Sequence, residues 1–415
     1  MKTVGIIAEY NPFHNGHAYQ IRRAKELTQA DYCVVVMSGD FVQRGAPALM
    51  DKYLRAECAL KNGADLVLEL PVCYALSSAE TFARGAVSLL DKLGIVDSLC
   101  FGSECGDINL LMDFAKELLH ETPLFKETLA RELRIGHTYP QARNAALDAS
   151  APHLTAHTSV LTSPNNILGI EYCKALLSCG SKIVPCTVER IGASYHDNGL
   201  ENTFCSAMAI RESLRQAGAS DGLARQIPAV TLKLMEDAYM KSYPVFPDDL
   251  SLLLHYSLLS GEASGFTDYP DIDKELSDRI LKFLPRYRNF RSFCDQLKSK
   301  NRTYARISRS LLHILLHITQ EELARYEKEG LVFYARMLGF RESASGLLSD
   351  IKKKAQIPLL SKLADAEKQL AQTGLLMLEK DIYASHIYQG IVRYKFPGDD
   401  SSPEINEYKK PIIKM

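Results

Sequence analysis

The first hundred residues alternate between two kinds of pattern. Short, nearly unbroken apolar runs at 3–8, 31–37, 65–70 and 98–101 read as strands buried on both faces. Between them, 17–27, 52–62 and 77–93 set apolar residues three or four apart, the period of a helix that buries one side. Strand then helix, repeated, is the pattern of a doubly wound α/β domain with a parallel sheet, in which ligands bind beyond the carboxyl ends of the strands. Helical pattern runs from Asp107 to about Leu147. It returns over 161–177, where Ser163-Pro164-Asn165-Asn166 supplies a capped start with proline near the first turn. Residues 182–189 read as a fifth strand of the same sheet and 206–215 as a helix.

Beyond about residue 225 strand character fades. Residues 232–240, 250–259, 273–283, 290–297, 304–318 and 320–326 favour helices, followed by a less regular tail after Gly339. In that tail 361–370 mixes charge with Ala and Leu as a solvated amphipathic helix does. The 415 residues are enough for two or three domains at roughly 150 residues each. The pattern divides them into an α/β domain at 1–220 and a mainly helical region at 221–415.

Composition narrows the class. With 46% hydrophobic and 24% charged residues, the chain is neither disordered nor fibrous. No apolar run reaches the roughly 18–20 residues of a spanning helix, and Glu9, Asn11 and Pro12 end the N-terminal apolar stretch too early for a secretory signal. Ten cysteines without a Cys-x-x-Cys pair read as buried, reduced thiols. The expectation is a soluble cytoplasmic protein with no membrane contact and no obligate protein partner.

Net charge is −1, which by itself predicts no polyanion partner. The distribution does. Between Leu281 and Ser310, Lys282, Arg286, Arg288, Arg291, Lys298, Lys300, Arg302, Arg306 and Arg309 face a single acid, Asp295, for a local charge of +8. Tyr287, Phe290, Phe293 and Tyr304 are interleaved. A basic stripe with aromatics is the footprint of a nucleic-acid surface, and its competing reading is a solvated helix face whose aromatics belong to the core.

The chemistry concentrates at the end of the first strand, in Glu9-Tyr10-Asn11-Pro12-Phe13-His14-Asn15-Gly16-His17. An Asn-Pro turn leads into His-x-Gly-His where a helix begins. A helix N-terminus presents unpaired N–H groups and the positive end of the helix dipole to anions. Gly16 lets a ligand approach the backbone, and His14 and His17, three apart, can both donate to phosphate oxygens. This suits a nucleoside triphosphate whose α-phosphate is attacked while pyrophosphate departs. His313 and His317, four apart, lack the further ligand a zinc site would need, so no metal ligand set is assigned.

Motif and context resemble the nucleotidylyltransferase superfamily with a His-x-Gly-His fingerprint. Its second phosphate-contacting segment, of the type Ser-x-x-x-Ile-Arg, is matched by Ser206-Ala207-Met208-Ala209-Ile210-Arg211. Ala207 and Met208 stand where hydroxyl residues are common in that superfamily. Further segments sharpen the resemblance: Met37-Ser38-Gly39-Asp40-Phe41-Val42-Gln43-Arg44-Gly45, Leu68-Glu69-Leu70-Pro71, Phe101-Gly102-Ser103-Glu104, Ser163-Pro164-Asn165-Asn166-Ile167-Leu168, Arg190-Ile191-Gly192-Ala193 and Thr303-Tyr304-Ala305-Arg306-Ile307. Together they resemble the bacterial tRNA(Met) cytidine acetate ligase family, from residue 1 to the helical region near 318.

The resemblance implies a nucleotidyltransferase-like fold. It also implies that ATP and acetate form acetyl-adenylate, and that the acetyl group then passes to the wobble cytidine of elongator tRNA(Met), giving N4-acetylcytidine. Magnesium would accompany the ATP. The implied ATP loop is Ile7, Ala8, Glu9, Tyr10, Asn11, Pro12, Phe13, His14, Asn15, Gly16, His17, Ala18, Tyr19 and Gln20, with Gly102, Asn165 and Arg190 completing the nucleotide site. His14, His17 and Asp40 are the implied catalytic residues, with Arg44 beside Asp40. The tRNA would lie on Arg286, Arg288, Arg291, Lys298, Lys300, Arg302, Arg306 and Arg309. Two other readings of the residues stay open: a small-molecule adenylyltransferase of cofactor biosynthesis, and a nucleotide- and RNA-binding protein without catalysis.

Overall fold

The computed structural model describes residues 1–190, 205–217, 221–397 and 406–415. Residues 191–193 of the Arg190 motif and the expected boundary at 220 lie outside them. The sheet contains β1 (Thr3–Ala8), β2 (Tyr32–Ser38), β3 (Leu66–Leu70), β4 (Ser98–Ser103) and β5 (Val184–Glu189), laid side by side as β3-β2-β1-β4-β5 and all parallel. The five expected strands are therefore present. The sheet does not end there. From the C-terminal half, β6 (Ala335–Phe340) pairs antiparallel with β3, and β7 (Leu359–Leu360) and β8 (Ile413–Lys414) pair parallel with β6. Strand character, expected to fade beyond about residue 225, returns within the mainly helical region: the last third of the chain extends the first domain's sheet.

Alternation along the strands separates two cores. Val4, Ile6, Cys33, Val35, Met37, Val67 and Cys100 face α1 (Asn15–Thr28) and α2 (Lys52–Lys61). Ile7, Val34, Val36, Leu66, Leu68, Leu99 and Phe101 face α3 (Ala79–Lys92), α4 (Pro164–Ser178) and a core continuous with the C-terminal helices. Both sides of the sheet are covered, so strands without polar alternation are what burial requires.

The tail is more ordered than its sequence pattern. Residues 361–370 form only a short 3-10 turn at Leu363–Lys368, with Leu363 and Ala366 buried, in place of a solvated helix. Gln372–Lys395 is a 24-residue helix packed into the core. Its Asp381 is buried, accepting the backbone N–H of Val72 at 2.7 Å and the Tyr334 hydroxyl at 2.5 Å. These partners come from distant parts of the chain, and so does the helix's stability.

Candidate functional site

The first turn of α1 is built by two histidines. His14, in extended conformation at the N-cap, accepts the Gly16 N–H on Nδ1 at 3.1 Å, and the His17 Nδ1 accepts the His14 N–H at 3.2 Å. This is the reciprocal capping arrangement usually made by Ser or Thr with Glu. It has a chemical consequence. A nitrogen that accepts an N–H carries no proton, so each neutral imidazole holds its hydrogen on Nε2. The rings stack with centroids 3.7 Å apart and planes at 24°. Burial holds His14 down at about 3, with Arg190 and Arg211 adding to the effect. Burial, then His14 and Arg190, keep His17 well below its ordinary value. Two neutral donors therefore stand at a helix N-terminus. Gly16 has no room for a side chain, since a Cβ there would lie 2.9 Å from the His14 ring.

Packing fixes this turn from beneath. Tyr10 and Phe13 are buried, with ring centroids 4.9 and 5.5 Å from that of His17. The Asn11 side chain accepts the Leu49 N–H at 2.7 Å, and its carbonyl accepts from Arg211 at 2.6 Å. The fully buried Arg55 guanidinium donates to the carbonyls of Glu9 at 2.6 Å, Ser38 at 3.0 Å and Met50 at 2.9 Å, and to that of Gly39. It ties the ends of β1 and β2 to the start of α2. Asn15 is held from the other side, where its backbone and side-chain N–H groups reach the carbonyls of Gln226 and Arg225, each at 2.9 Å.

A cleft opens over this turn. Its walls are His14, Gly16, His17, Tyr19 and Gln20 from α1, Gly102 from β4, Val188 and Arg190 from β5 and just beyond it, and Cys205 with Ser206 from the second phosphate segment. Sequence segments nearly two hundred residues apart thus converge at the carboxyl ends of adjacent strands, where a doubly wound sheet binds ligands. Among the described residues no carboxylate belongs to the lining, so the field they set there favours an anion. Val188 and Cys205 were missed by sequence reasoning. As a strand aliphatic and a thiol in an apolar setting, they carried no chemical signal.

Other expected residues stand apart from the lining. Ile7, Tyr10, Asn11, Pro12 and Phe13 are buried supports, and Glu9 accepts the Gln43 N–H at 2.8 Å. The Asn165 amide is committed to Glu104 at 2.6 Å, so it frames the end of β4 and does not line the cleft. Asp40 is buried and accepts the Lys52 N–H at 2.9 Å, with the Lys52 ammonium 3.9 Å away. Burial, only partly offset by Lys52, raises its carboxyl to about 6. Its place is in a buried charge cluster at the start of α2, and Arg44 is exposed on the adjoining hairpin. His313 is buried, with Nε2 2.9 Å from the Leu76 carbonyl and Nδ1 3.4 Å from that of Pro270, so its one N–H as a neutral ring is given to a backbone carbonyl.

The HIGH Nucleotidyl Transferase family model matches residues 1–401. The chain is 41% identical over 389 residues to the tRNA(Met) cytidine acetate ligase of Caldanaerobacter subterraneus subsp. tengcongensis, covering 94% of this chain and 95% of that one. It is 39% identical to the protein of the same name from Thermoanaerobacter sp., over 100% of both chains. The chain belongs to the tRNA(Met) cytidine acetate ligase family. The crystal structure of Thermotoga maritima TmcAL bound with alpha-thio ATP is similar over 100% of this chain and 99% of that one, with a TM-score of 0.91 and 32% identity. The apo form of the same protein gives a TM-score of 0.93.

In this member of the tRNA(Met) cytidine acetate ligase family the basic stripe is divided. Arg286, Arg288, Arg291, Lys298 and Lys300 are exposed. Arg302 is not available to a nucleic acid and is corrected to a structural role: it is 7% exposed and paired with Asp273 at 2.8 Å and Glu275 at 2.7 Å. Arg306 and Arg309 share Asp271, each at 3.6 Å. The aromatics follow the bland reading. Phe290 and Phe293 are core residues, and Tyr287 stacks on His255 at 4.6 Å while donating to the Ser251 carbonyl at 2.8 Å.

Proposed function

We propose that this chain activates acetate with ATP as acetyl-adenylate and transfers the acetyl group to N4 of the wobble cytidine of elongator tRNA(Met). The observation that carries the reading is the pair of neutral imidazoles, each with Nε2–H free of the capping bonds, at the N-terminus of α1 in a cleft with no carboxylate among its described lining residues. An acetate oxygen attacks the α-phosphorus in line and the bond to pyrophosphate breaks. The negative charge that grows on the phosphate oxygens meets His14, His17, Arg190 and the helix N-terminus, all positioned before the reaction begins. The cytidine amine then attacks the acetyl carbonyl and AMP leaves. Neither step needs a protein nucleophile. Ser206 lines the phosphate side, Arg211 braces it from behind through the Asn11 carbonyl, and Gly102 and Val188 form the floor. Magnesium arriving with ATP would take its ligands from the phosphate oxygens, because the described lining residues offer it no carboxylate.

The tRNA reading is supported by the family and by the exposed part of the stripe, Arg286, Arg288, Arg291, Lys298 and Lys300. Among the described residues no helix is long and apolar enough to cross a membrane. The test is incorporation of labelled acetate into bulk tRNA. ATP-dependent labelling that falls about 10²–10³-fold in His17→Ala, as loss of one preoriented donor does, supports the proposal. ATP–pyrophosphate exchange with no label in RNA would replace it with a small-molecule adenylyltransferase. Absence of both would leave a binding protein.

A further inference from the structure

Two thiols lie side by side beneath the cleft. Cys100 on β4 and Cys186 on β5 are direct partners in the parallel register, so their side chains leave the same face of the sheet. Both belong to the core on the α1 side. Neighbouring strands lie about 4.7–4.9 Å apart, inside the roughly 4.4–6.8 Å Cα separation that a disulfide spans. Cys100 is fully buried, whereas Cys186 is partly exposed. The next pair on that face, two residues further along each strand, is Gly102 opposite Val188, and both line the cleft.

We propose that Cys100 and Cys186 form a peroxide-reactive dithiol whose closure to a disulfide deforms the floor of the cleft and weakens nucleotide binding. Cys186 is the more accessible sulfur and takes the nucleophilic role, and the neighbouring Cys100 thiol holds it below its ordinary value against the cost of burial. That thiolate attacks one oxygen of hydrogen peroxide, the O–O bond breaks, and the departing hydroxide takes a proton to leave as water. The Cys100 sulfur then attacks the resulting sulfenic acid, the S–O bond breaks, and a second water carries away the thiol proton. Two electrons from the thiol pair reduce one peroxide. Cys33, the remaining thiol on the sheet side of this core, is on β2 with β1 between it and β4, and burial pushes it up to about 12, so it remains a thiol. The disulfide shortens the contact between two strands immediately below Gly102 and Val188, which is where the floor is set.

The effect on nucleotide rests on the cleft being the ATP site; the disulfide itself does not. The full-length protein is treated with hydrogen peroxide, digested without reductant and mapped by mass spectrometry, and ATP affinity is titrated before oxidation, after it, and after dithiothreitol. The expected result is a peptide pair joining positions 100 and 186, two hydrogens lighter than the thiols, with ATP binding weakened about tenfold and restored by reductant. Cys186→Ser gives no such pair, and its ATP affinity does not respond to peroxide. Oxidation confined to the exposed Cys179, or a 100–186 disulfide that leaves ATP affinity unchanged, overturns the proposal. An untreated protein that binds no ATP would overturn the assignment of the cleft instead, while leaving the mapped disulfide to be judged by itself.

Discussion

Glu104 and Asn166 hold each other by reciprocal hydrogen bonds. The Asn166 Oδ1 accepts the Glu104 N–H at 2.8 Å, and the Glu104 Oε2 accepts the Asn166 N–H at 2.8 Å. Oε1 of the same carboxylate takes the Asn165 side chain at 2.6 Å, so Glu104 caps α4 from outside the helix, with its charge at the positive end of the dipole. Ser163, at the N-cap position, makes no side-chain cap bond of its own. The lock joins the end of β4, two residues beyond Gly102, to the helix behind it. Glu104→Ala is expected to cost about 1–2 kcal/mol, the value of a lost charged cap, and to raise the KM for ATP with a smaller effect on kcat. Urea unfolding and steady-state kinetics check both, and an unchanged unfolding midpoint would show that the lock carries no stability.

The capping bonds of His14 and His17 make a prediction about protons. Nitrogen-15 spectra at pH 7 should show both rings neutral and in the Nε2–H form. The folded protein holds His14 near 3 against 6.5 in the open chain, so the unfolded state binds the extra proton. The stability this represents is complete above pH 6.5 and is lost as pH falls toward 3. Between pH 6.5 and 5 the loss is about 2 kcal/mol. Asp40, raised to about 6, acts in the opposite sense, so the informative comparison is with His14→Asn, which can still cap the helix. That variant should show a flatter decline in urea stability from pH 7 to pH 5; parallel curves would show that His14 is not the titrating group.

What the sequence revealed and what it hid divide along physical lines. His14, Gly16 and His17 announce themselves because their chemistry and their place at a strand–helix junction are both local. The strands of the first half are recognisable because burial on both faces leaves no polar alternation. β6, by contrast, reads Ala-Arg-Met-Leu-Gly-Phe, with an arginine whose charge argues against burial until Glu69 and Glu407 are brought to it at 3.0 Å and closer. The charge count over 281–310 failed for a related reason. Asp271, Asp273 and Glu275 precede that window in the chain yet meet its arginines in space. Asp40 and Asn165 look like site residues by type, and only the fold shows them occupied with Lys52 and Glu104.

That division of the stripe is testable residue by residue. Arg288→Glu with Arg291→Glu, both exposed, should weaken tRNA binding and lower the salt dependence by about two counterions while ATP affinity stays the same. Arg302→Ala should do the reverse: a lower melting temperature from stranding Asp273 at the N-cap of Lys274–Phe283, with no specific loss of salt-dependent tRNA binding. Gel-shift titrations over a salt series and thermal unfolding of each variant measure the contrast. Equal loss of stability in both variants would erase the distinction.

The C-terminal segment carries a charge that the centre of the molecule needs. The Lys52 ammonium contacts Glu69 at 2.9 Å, Glu407 at 2.7 Å and the Ser385 hydroxyl at 2.6 Å, with all three side-chain partners buried. Arg336 bridges the same two carboxylates. Two cations thus share two acids in direct contact, with Asp40 a third at 3.9 Å from Lys52, and Glu407 also accepts from Tyr53 and Gln389, each at 2.8 Å. Lys52 and Arg336 hold the Glu407 carboxyl far below its usual range in spite of burial. Glu407→Gln keeps the shape but removes one of the two negative charges in direct contact with Lys52 and Arg336, which is expected to cost about 3–5 kcal/mol, as breaking one side of a buried pair does. Because the folded value is depressed, the contribution of Glu407 is complete above about pH 4.5 and fades as pH falls. The wild type should therefore lose more stability than the variant on acidification below that value. Unfolding midpoints at pH 7 and pH 4 for both proteins decide it. A Glu407→Gln variant that keeps the wild-type midpoint at pH 7 would mean the cluster is held by its hydrogen bonds and not by its charges.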